Sequence, residues 1–193
     1  AACEFPSPRQ ARPPGNFTRP DPRSTPVARI AKPHLVIVHR QAARALLLTP
    51  DHEILLMRIR PHPDSSWFWI APGGGIEPGE TIETALRREL NEEVSLLDFS
   101  LGPLVWRRQH TFDWQVRRIC QREQYFVVHV THFAPQIRDP HEAKVLDCFR
   151  WWQIDELASA SERLTPLSLP NIIANYLARG APPDEPAWEV LVD

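Results

Sequence analysis

The chain has 193 residues, of which 42% are hydrophobic and 24% are charged, so it is long enough for one globular domain with a full core. Its formal net charge of -2 excludes an overall field that would recruit nucleic acid or a membrane surface. The three cysteines are too few and too scattered for a disulfide framework or a paired-cysteine zinc site. No apolar run approaches the roughly 20 residues of a membrane span, and no secretory signal is visible, so we expect a cytoplasmic protein.

Residues 1–33 form a segment rich in proline and arginine. It contains eight prolines and six basic residues against two acids, a local charge of +4, and the total of -2 therefore leaves -6 for the remainder. Few large apolar side chains occur in it, so burial cannot offset the entropy lost on ordering. We predict a disordered segment at 1–33, a folded domain at 34–180 and a C-terminal tail at 181–193.

The folded part is predicted to begin with an apolar hairpin. Residues 43–50 (ARALLLTP) and 53–60 (EILLMRIR) are apolar runs of strand length separated by turn residues. Residues 66–71 (SWFWIA) are aromatic and short, as in a third strand that Pro72 ends. A helix is predicted to follow at about 81–94.

The second half contains further strand patterns and one late helix. Strand-like runs occupy 101–109, 112–120, 123–133 and 147–154. A helical pattern at 171–179 ends at Gly180, and the final residues, WEVLVD, are a candidate docking strand. Strands on either side of a central helix, with a second helix late in the chain, predict an α/β fold in which helices cover a mixed sheet.

The central helix carries its acids beside its buried face. At 100° per residue, four apolar side chains fall within about 120° of one another and form a stripe: Ile82, Leu86, Leu90 and Val94. Glu89, Glu92 and Glu93 border this stripe, and three partly buried carboxylates destabilise a fold unless some are protonated or a cation neutralises them. Oxygen ligands suit a hard ion such as Mg²⁺ or Mn²⁺. The open alternative is an ordinary charged helix with ion pairs to Arg87 and Arg88.

A glycine-rich stretch, PGGGIEPGE, joins the third strand to this helix. Glycines let a backbone approach a ligand closely and expose its carbonyl groups, so one of these carbonyls is a further candidate metal ligand. Glu80 lies at the helix start, where the positive end of the helix dipole stabilises a carboxylate. Arg88, about two turns further on, could pair with Glu80 and brace the loop against the helix.

These residues carry a resemblance to a known family. From Gly74 the spacing runs Gly, five residues, Glu80, seven residues, then the block RELNEE at 88–93. This spacing resembles the Nudix box, a highly specific signal, and Trp69 shortly before the glycines agrees with it. The box normally continues with a glycine that ends the helix; this chain has Ser95 there, and a left-handed residue other than glycine costs about 1 kcal/mol. The resemblance covers about residues 35–160.

The resemblance implies a Nudix-like α/β/α sandwich with a mixed β-sheet between helices, and hydrolysis of a nucleoside diphosphate linked to another group. It also implies that Mg²⁺ or Mn²⁺ is bound by three acids and one backbone carbonyl: Glu89, Glu92, Glu93 and Gly74, or Gly73 in its place. Arg88 would orient Glu89 and pair with Glu80, and Glu89 is the first candidate for the general base. Family members often use an acid outside the box, and residues 138–147 offer Glu142, with weaker candidates at Asp139 and His141.

The residues that choose the substrate are harder to predict. Aromatic side chains can stack on a base and arginines can clamp phosphates, which makes Arg58, Trp69 and Arg108 the candidate substrate contacts. Core packing and solvated surface are the competing interpretations for these residues. The substrate stays open between nucleoside triphosphates, nucleotide sugars and ADP-ribose.

Because every metal-binding acid of the box is present, we expect a divalent-metal-dependent pyrophosphohydrolase that acts on a small-molecule nucleoside diphosphate derivative. The competing hypothesis is a non-catalytic Nudix domain that binds a nucleotide and regulates another process. Removal of pyrophosphate from RNA 5′ ends is disfavoured by the acidic domain. We expect no nucleic-acid or membrane partner, and a homodimer is left open.

Overall fold

The computed structural model describes residues 37–60, 64–114, 117–140 and 142–192. The helices and strands in these ranges are β1 (Ile37–Leu48), β2 (Glu53–Ile59), β3 (Phe68–Ile70), α1 (Ile82–Val94), β4 (Leu104–Trp114), β5 (Arg117–His129), β6 (Leu146–Gln153), β7 (Arg163–Thr165), α2 (Leu169–Arg179) and β8 (Trp188–Val192), with 3-10 turns at Glu142–Lys144 and Ile154–Ser159. No helix in these ranges is both long and apolar enough to cross a membrane. The segment 1–33 lies outside them, and the division into segment, domain and tail stays a prediction.

The described strands form one mixed sheet in the order β7-β3-β2-β1-β5-β4-β8, with β6 paired to β2. β1 and β5 run in parallel along the whole of β1, from Ile37 opposite Arg118 to Leu48 opposite His129. β1 and β2 form the predicted antiparallel hairpin but are in register only where Leu48 faces Ile54. β2 pairs with β6 along its length and with β3 from Met57 to Ile59, so most of this side of β1 is left to another segment.

The glycine-rich loop at 72–76 takes this side of β1. Ala43 N donates to Gly74 O at 2.9 Å, and Ile76 N donates to Gln41 O at 2.9 Å. These bonds hold the loop as an additional extended segment beside the sheet, immediately before the start of α1. The loop is therefore positioned by the backbone of β1 as well as by its own turn.

Side chains alternate along β1 between two cores. Leu46 and Leu48 pack in one core, whereas Ala45 and Leu47 pack in the other. The first core contains the buried face of α2: Leu169, Ile172 and Ile173. The second contains the predicted stripe of α1: Leu86, Leu90 and Val94. A mixed sheet covered by one helix on each face confirms the predicted α/β/α sandwich.

The second half of the chain differs from the prediction in two places. The runs at 101–109, 112–120 and 123–133 form two long strands, β4 and β5, which pair as one antiparallel hairpin. The strand β7 was not predicted, because three residues carry no readable period; its parallel partner is β3, with Trp69 opposite Leu164. The docking strand was predicted correctly, since β8 pairs in parallel with β4.

Both ends of α1 are capped. The Thr81 hydroxyl accepts from Thr84 N at 3.1 Å, and the Thr84 hydroxyl accepts from Thr81 N at 2.8 Å. Ser95 ends the helix in the left-handed conformation, with φ 58° and ψ 30°, where the box normally has glycine. Its hydroxyl donates to Gln136 O at 2.7 Å and accepts from Arg138 Nε at 2.9 Å. These two bonds offset a left-handed cost of about 1 kcal/mol.

A buried ionic cluster lies on the face of the sheet that contains Tyr125. Glu123, only 1% exposed, accepts from Arg108 Nε at 2.9 Å, from Arg44 Nε at 3.2 Å and from the Tyr125 hydroxyl at 3.1 Å. Burial opposes ionisation of Glu123, but the two guanidinium groups outweigh burial and lower the pKa of this carboxyl to about 2. The cluster thus joins β1, β5 and β4 through charge.

We expect Ser95→Ala to lower the free energy of unfolding by about 1 kcal/mol, because it removes both hydroxyl hydrogen bonds and keeps the left-handed strain. Ser95→Gly loses the same bonds but relieves about 1 kcal/mol of strain, so it should be nearly neutral. Urea unfolding of the two variants and the wild type measures the difference. Equal destabilisation by both substitutions would contradict this account of the helix end.

The Glu123 carboxylate should make stability depend on pH in acid. Its pKa is about 2 in the folded protein against 4.5 as the ordinary value, so its stabilisation is complete above about pH 4.5 and is lost as the pH falls toward 2. That shift corresponds to on the order of 3 kcal/mol. The gap in unfolding free energy between the wild type and Glu123→Gln should shrink from about pH 6 to about pH 3 in denaturant titrations. A gap that stays constant would show that Glu123 does not carry the predicted charge.

Candidate functional site

Arg88 ties the acidic helix to the glycine-rich loop. Its Nε and Nη2 each donate to one oxygen of Glu80 at 2.9 Å, and Nη2 also donates to Gly75 O at 2.9 Å. The predicted pairing of Arg88 with Glu80 is thereby confirmed. The hydrogen bond from Arg88, assisted by the backbone N–H of Glu77, lowers the pKa of the Glu80 carboxyl to about 2. The ion pair is therefore fully charged at neutral pH and holds the loop against the helix.

Glu89 lies directly against the loop. Its side chain is 14% exposed, and its Oε1 accepts from Arg88 Nη1 at 2.7 Å. A Cβ atom on Gly74 would lie 2.5 Å from the carboxyl carbon of Glu89, so a side chain at this position would displace the Glu89 carboxylate. Burial raises the pKa of the Glu89 carboxyl, although the hydrogen bond from Arg88 opposes the rise. The contact places a desolvated carboxylate beside the exposed backbone of the loop.

Glu93 is buried in the core and binds the same loop. It is 4% exposed, and its Oε2 accepts from Gly73 N at 2.6 Å. Gly73 has φ 122°, and a Cβ atom there would lie 2.3 Å from Ala43 O, so this position requires glycine. The carbonyl of Gly73 accepts from Arg44 Nη1. Both polar groups of Gly73 are thus held by charged side chains.

Glu92 is the most exposed of the three acids, with 37% of its side chain accessible and a long contact of 3.5 Å to Arg88 Nη1. Its backbone carbonyl accepts from Arg138 N at 2.7 Å and from Asp139 N at 3.3 Å. These bonds bring the loop that contains the alternative general bases to the end of α1. His141 lies outside the described residues, and Glu142 begins a 3-10 turn, Glu142–Lys144.

The site fits a hard divalent cation in the chemistry of its donors. Within the described ranges, no three side chains of Asp, Glu, His or Cys form a group that could hold a metal ion as they stand. A carboxylate nevertheless has about four lone-pair sites, so Glu89 has acceptor capacity beyond its described hydrogen bond from Arg88. Gly74 O, whose described bond is from Ala43 N at 2.9 Å, has a second lone pair. Oxygen donors of this kind suit Mg²⁺ or Mn²⁺.

Two of the three candidate substrate contacts, Arg58 and Trp69, meet at Glu162, whereas the third, Arg108, belongs to the buried ionic cluster. Arg58 donates to Glu162 at 2.8 and 2.5 Å and to Asp147 at 2.6 Å, and Trp69 Nε1 donates to the same Glu162 at 2.9 Å. Arg108 is 5% exposed and bound to Glu123 in the buried ionic cluster. Each of the three is held by protein acids, and a role in substrate binding stays a prediction.

Arg44 is the residue of the site that could not be identified from the pattern of the box. It lies in the run ARALLL, where a single charged residue interrupts an otherwise apolar strand. Its partner Glu123 lies between Arg122 and Gln124, at the polar start of the next buried run, and does not stand out in this way. An isolated charge within a buried strand needs a partner. That signal could have singled out Arg44, although it could not have identified Glu123 as its partner.

Comparison with known proteins places the chain in a family. A family model described as NUDIX domain matches residues 38–173. An RNA pyrophosphohydrolase of Rickettsia bellii is 26% identical over 140 residues, which cover 67% of this chain and 84% of the relative.

Solved structures share the fold. The MutT NUDIX hydrolase from Burkholderia pseudomallei has a TM-score of 0.54 at 20% identity, covering 70% of this chain and 97% of that one. The NUDIX domain of NrtR from Shewanella oneidensis, solved with ADP ribose, has a TM-score of 0.55 at 17% identity, covering 72% and 89%. Since the family match spans more than half of the chain, the chain belongs to the Nudix family, and the predicted enzyme class, a Nudix hydrolase that acts on pyrophosphate bonds, is confirmed.

Proposed function

We propose that the chain hydrolyses a pyrophosphate bond in a small-molecule nucleoside diphosphate derivative, with Mg²⁺ or Mn²⁺ as cofactor. The proposed cation ligands are three side chains and one backbone carbonyl: Glu89, Glu92, Glu93 and Gly74. The observation that carries the proposal is the contact between the desolvated Glu89 carboxylate and Gly74, where a Cβ atom would lie 2.5 Å from the carboxyl carbon. Because the glycine backbone and the acidic side chains lie this close together, they offer carbonyl and carboxylate oxygens, the ligands that a cation bound to a diphosphate needs.

The cation, when bound, would neutralise phosphate oxygens and lower the pKa of a bound water. The remaining roles, proton acceptance and orientation of the base, are assigned to side chains of this protein. Glu89 is the proposed general base, because its carboxylate is 14% exposed and lies beside Gly74, at the proposed cation site. Arg88 orients Glu89 through the 2.7 Å bond, and Glu80 in turn orients Arg88. Glu142 is kept as the alternative base.

The substrate is proposed to be a free nucleotide derivative: a nucleoside triphosphate, a nucleotide sugar or ADP-ribose. The ADP ribose in the NrtR complex supports this class, because that ligand contains such a diphosphate. The proposed substrate contacts are Arg58, Trp69 and Arg108. A cytoplasmic location, and no requirement for nucleic acid or a membrane, belong to the same proposal.

The 5′ end of RNA is a second candidate substrate, because the relative from Rickettsia bellii is an RNA pyrophosphohydrolase. The charge of this chain disfavours it. The total is -2, and the first 33 residues carry +4 of their own, so the remainder lacks the positive charge that a polyphosphate backbone needs.

A turnover screen with Mg²⁺ tests the proposal, with the nucleoside monophosphate, sugar phosphate or pyrophosphate products separated by chromatography. It should cover nucleoside triphosphates, nucleotide sugars, ADP-ribose and a 5′-triphosphorylated RNA oligonucleotide. We expect turnover of one of the small molecules to exceed turnover of the RNA. Tight nucleotide binding without turnover of any compound would instead support a regulatory Nudix domain, and preferred turnover of the RNA would support the second candidate.

The variants Glu89→Gln and Glu83→Gln, both on α1, provide the matched comparison. Glu89→Gln should lower kcat about 10²–10⁴-fold, because an amide cannot accept the proton. Glu83 is 51% exposed and pairs only with Arg87 among its described salt bridges, so Glu83→Gln should leave kcat unchanged. Full activity in Glu89→Gln would assign the proton transfer to another acid, and Glu142→Gln would then be the next variant to measure.

A further inference from the structure

We propose that Arg44, anchored by the buried Glu123, is a positioning residue that holds the Gly73–Gly74 backbone against the acidic helix and thereby sets the affinity for the divalent cation. The inference rests on the proposed function, which supplies the cation. It concerns two residues outside the box: Arg44, which contacts the loop, and Glu123, which anchors Arg44.

Arg44 reaches the loop from β1. Its side chain is 13% exposed, its Nη1 donates to Gly73 O, and the same atom lies 3.4 Å from Ala71 O. On the opposite side of the same residue, Gly73 N donates to Glu93 Oε2 at 2.6 Å. One glycine is therefore held at its carbonyl by a cation from the sheet and at its amide by a proposed metal ligand from the helix.

A shift of Gly73 would be transmitted in both directions. Toward the helix, it would move the hydrogen bond that orients the Glu93 carboxylate. Along the chain, it would move Gly74, whose carbonyl accepts from Ala43 N at 2.9 Å and whose α-carbon faces the Glu89 carboxylate. Two acids and the proposed carbonyl ligand thus depend on where Arg44 places Gly73.

Glu123 determines where Arg44 can reach. Its Oε1 accepts from Arg44 Nε at 3.2 Å and from Gln121 Nε2 at 3.0 Å, while its Oε2 accepts from Arg108 and from Tyr125. A carboxylate with four donors and 1% exposure has a fixed orientation. Arg44 is therefore held at one nitrogen by an immobile anchor and uses another nitrogen to hold the loop.

Positioning and simple charge predict opposite effects on cation binding. A guanidinium close to Glu89 and Glu93 repels an incoming cation, so removal of its charge alone would tighten binding. If Arg44 acts by fixing Gly73, removal of the side chain loosens the ligands and weakens binding. Partners that orient metal ligands typically change affinity or activity about 10–100-fold when they are lost.

The test is a Mn²⁺ titration of the full chain, with free Mn²⁺ followed by electron paramagnetic resonance in the absence of substrate. We expect Arg44→Met to weaken Mn²⁺ binding about tenfold. Arg122→Met is the matched control, because Arg122 lies on β5, is exposed and donates to Gln109 Oε1, away from the loop. Unchanged or tighter Mn²⁺ binding by Arg44→Met would overturn the inference.

Two further variants separate positioning from folding. Arg44→Met leaves Arg108 and Glu123 as a balanced pair, and circular dichroism with thermal unfolding should show a folded protein. Arg44→Lys keeps the charge but lacks the planar fork that reaches Glu123 and Gly73 together, so it should also bind Mn²⁺ more weakly. Wild-type affinity in Arg44→Lys would overturn the inference even if Arg44→Met failed to fold.

Turnover gives an independent readout. With the substrate found in the screen and Mn²⁺ near its dissociation constant, Arg44→Lys should lower kcat with KM nearly unchanged, and saturating Mn²⁺ should restore part of the loss. Failure of the proposed function would appear in the wild type, as no Mn²⁺ binding or no turnover. Failure of this inference would appear as a wild type that binds Mn²⁺ and variants that match it.

Discussion

Three carboxylates crowd the buried edge of one helix, and the structure depends on how their repulsion is contained. Arg88 contains it from within the helix, through Glu80, Glu89 and the carbonyl of Gly75. Arg44 contributes from the sheet, where its charge lies close enough to Glu89 to oppose the rise in that carboxyl's pKa. Two arginines do not fully neutralise three carboxylates, so this edge of the helix keeps the negative charge that the proposed cation would neutralise.

The strand β1 connects this edge to the rest of the fold. On one side it pairs in parallel with β5, and on the other its backbone binds the glycine-rich loop. Its alternating side chains enter both cores, so the strand is immobilised by packing. A loop of glycines, which would be flexible alone, thereby becomes a rigid neighbour for Glu89 and Glu93.

The local features of the site were predictable, because they depend on helical geometry and short spacing. The burial of Glu93 followed from its place beside the apolar stripe, and the pairing of Arg88 with Glu80 followed from a separation of two turns. Contacts between distant segments were not predictable. Arg44 meets Glu123 only because β1 and β5 pair in parallel, and Arg58 meets Glu162 across 104 residues. The β4–β5 hairpin was divided into three runs because the polar residues at 110–111 and 121–122 break the apolar period, although both positions lie within the strands.

The central claim is that the helix edge and the loop bind one divalent cation between them. Crystals soaked with Mn²⁺ and a non-hydrolysable nucleoside diphosphate analogue would test it most directly, by anomalous diffraction at the manganese edge. The account predicts an anomalous peak coordinated by oxygens of Glu89, Glu92 and Glu93 and by the analogue's phosphates. The absence of a peak at these carboxylates, with the analogue bound, would contradict it.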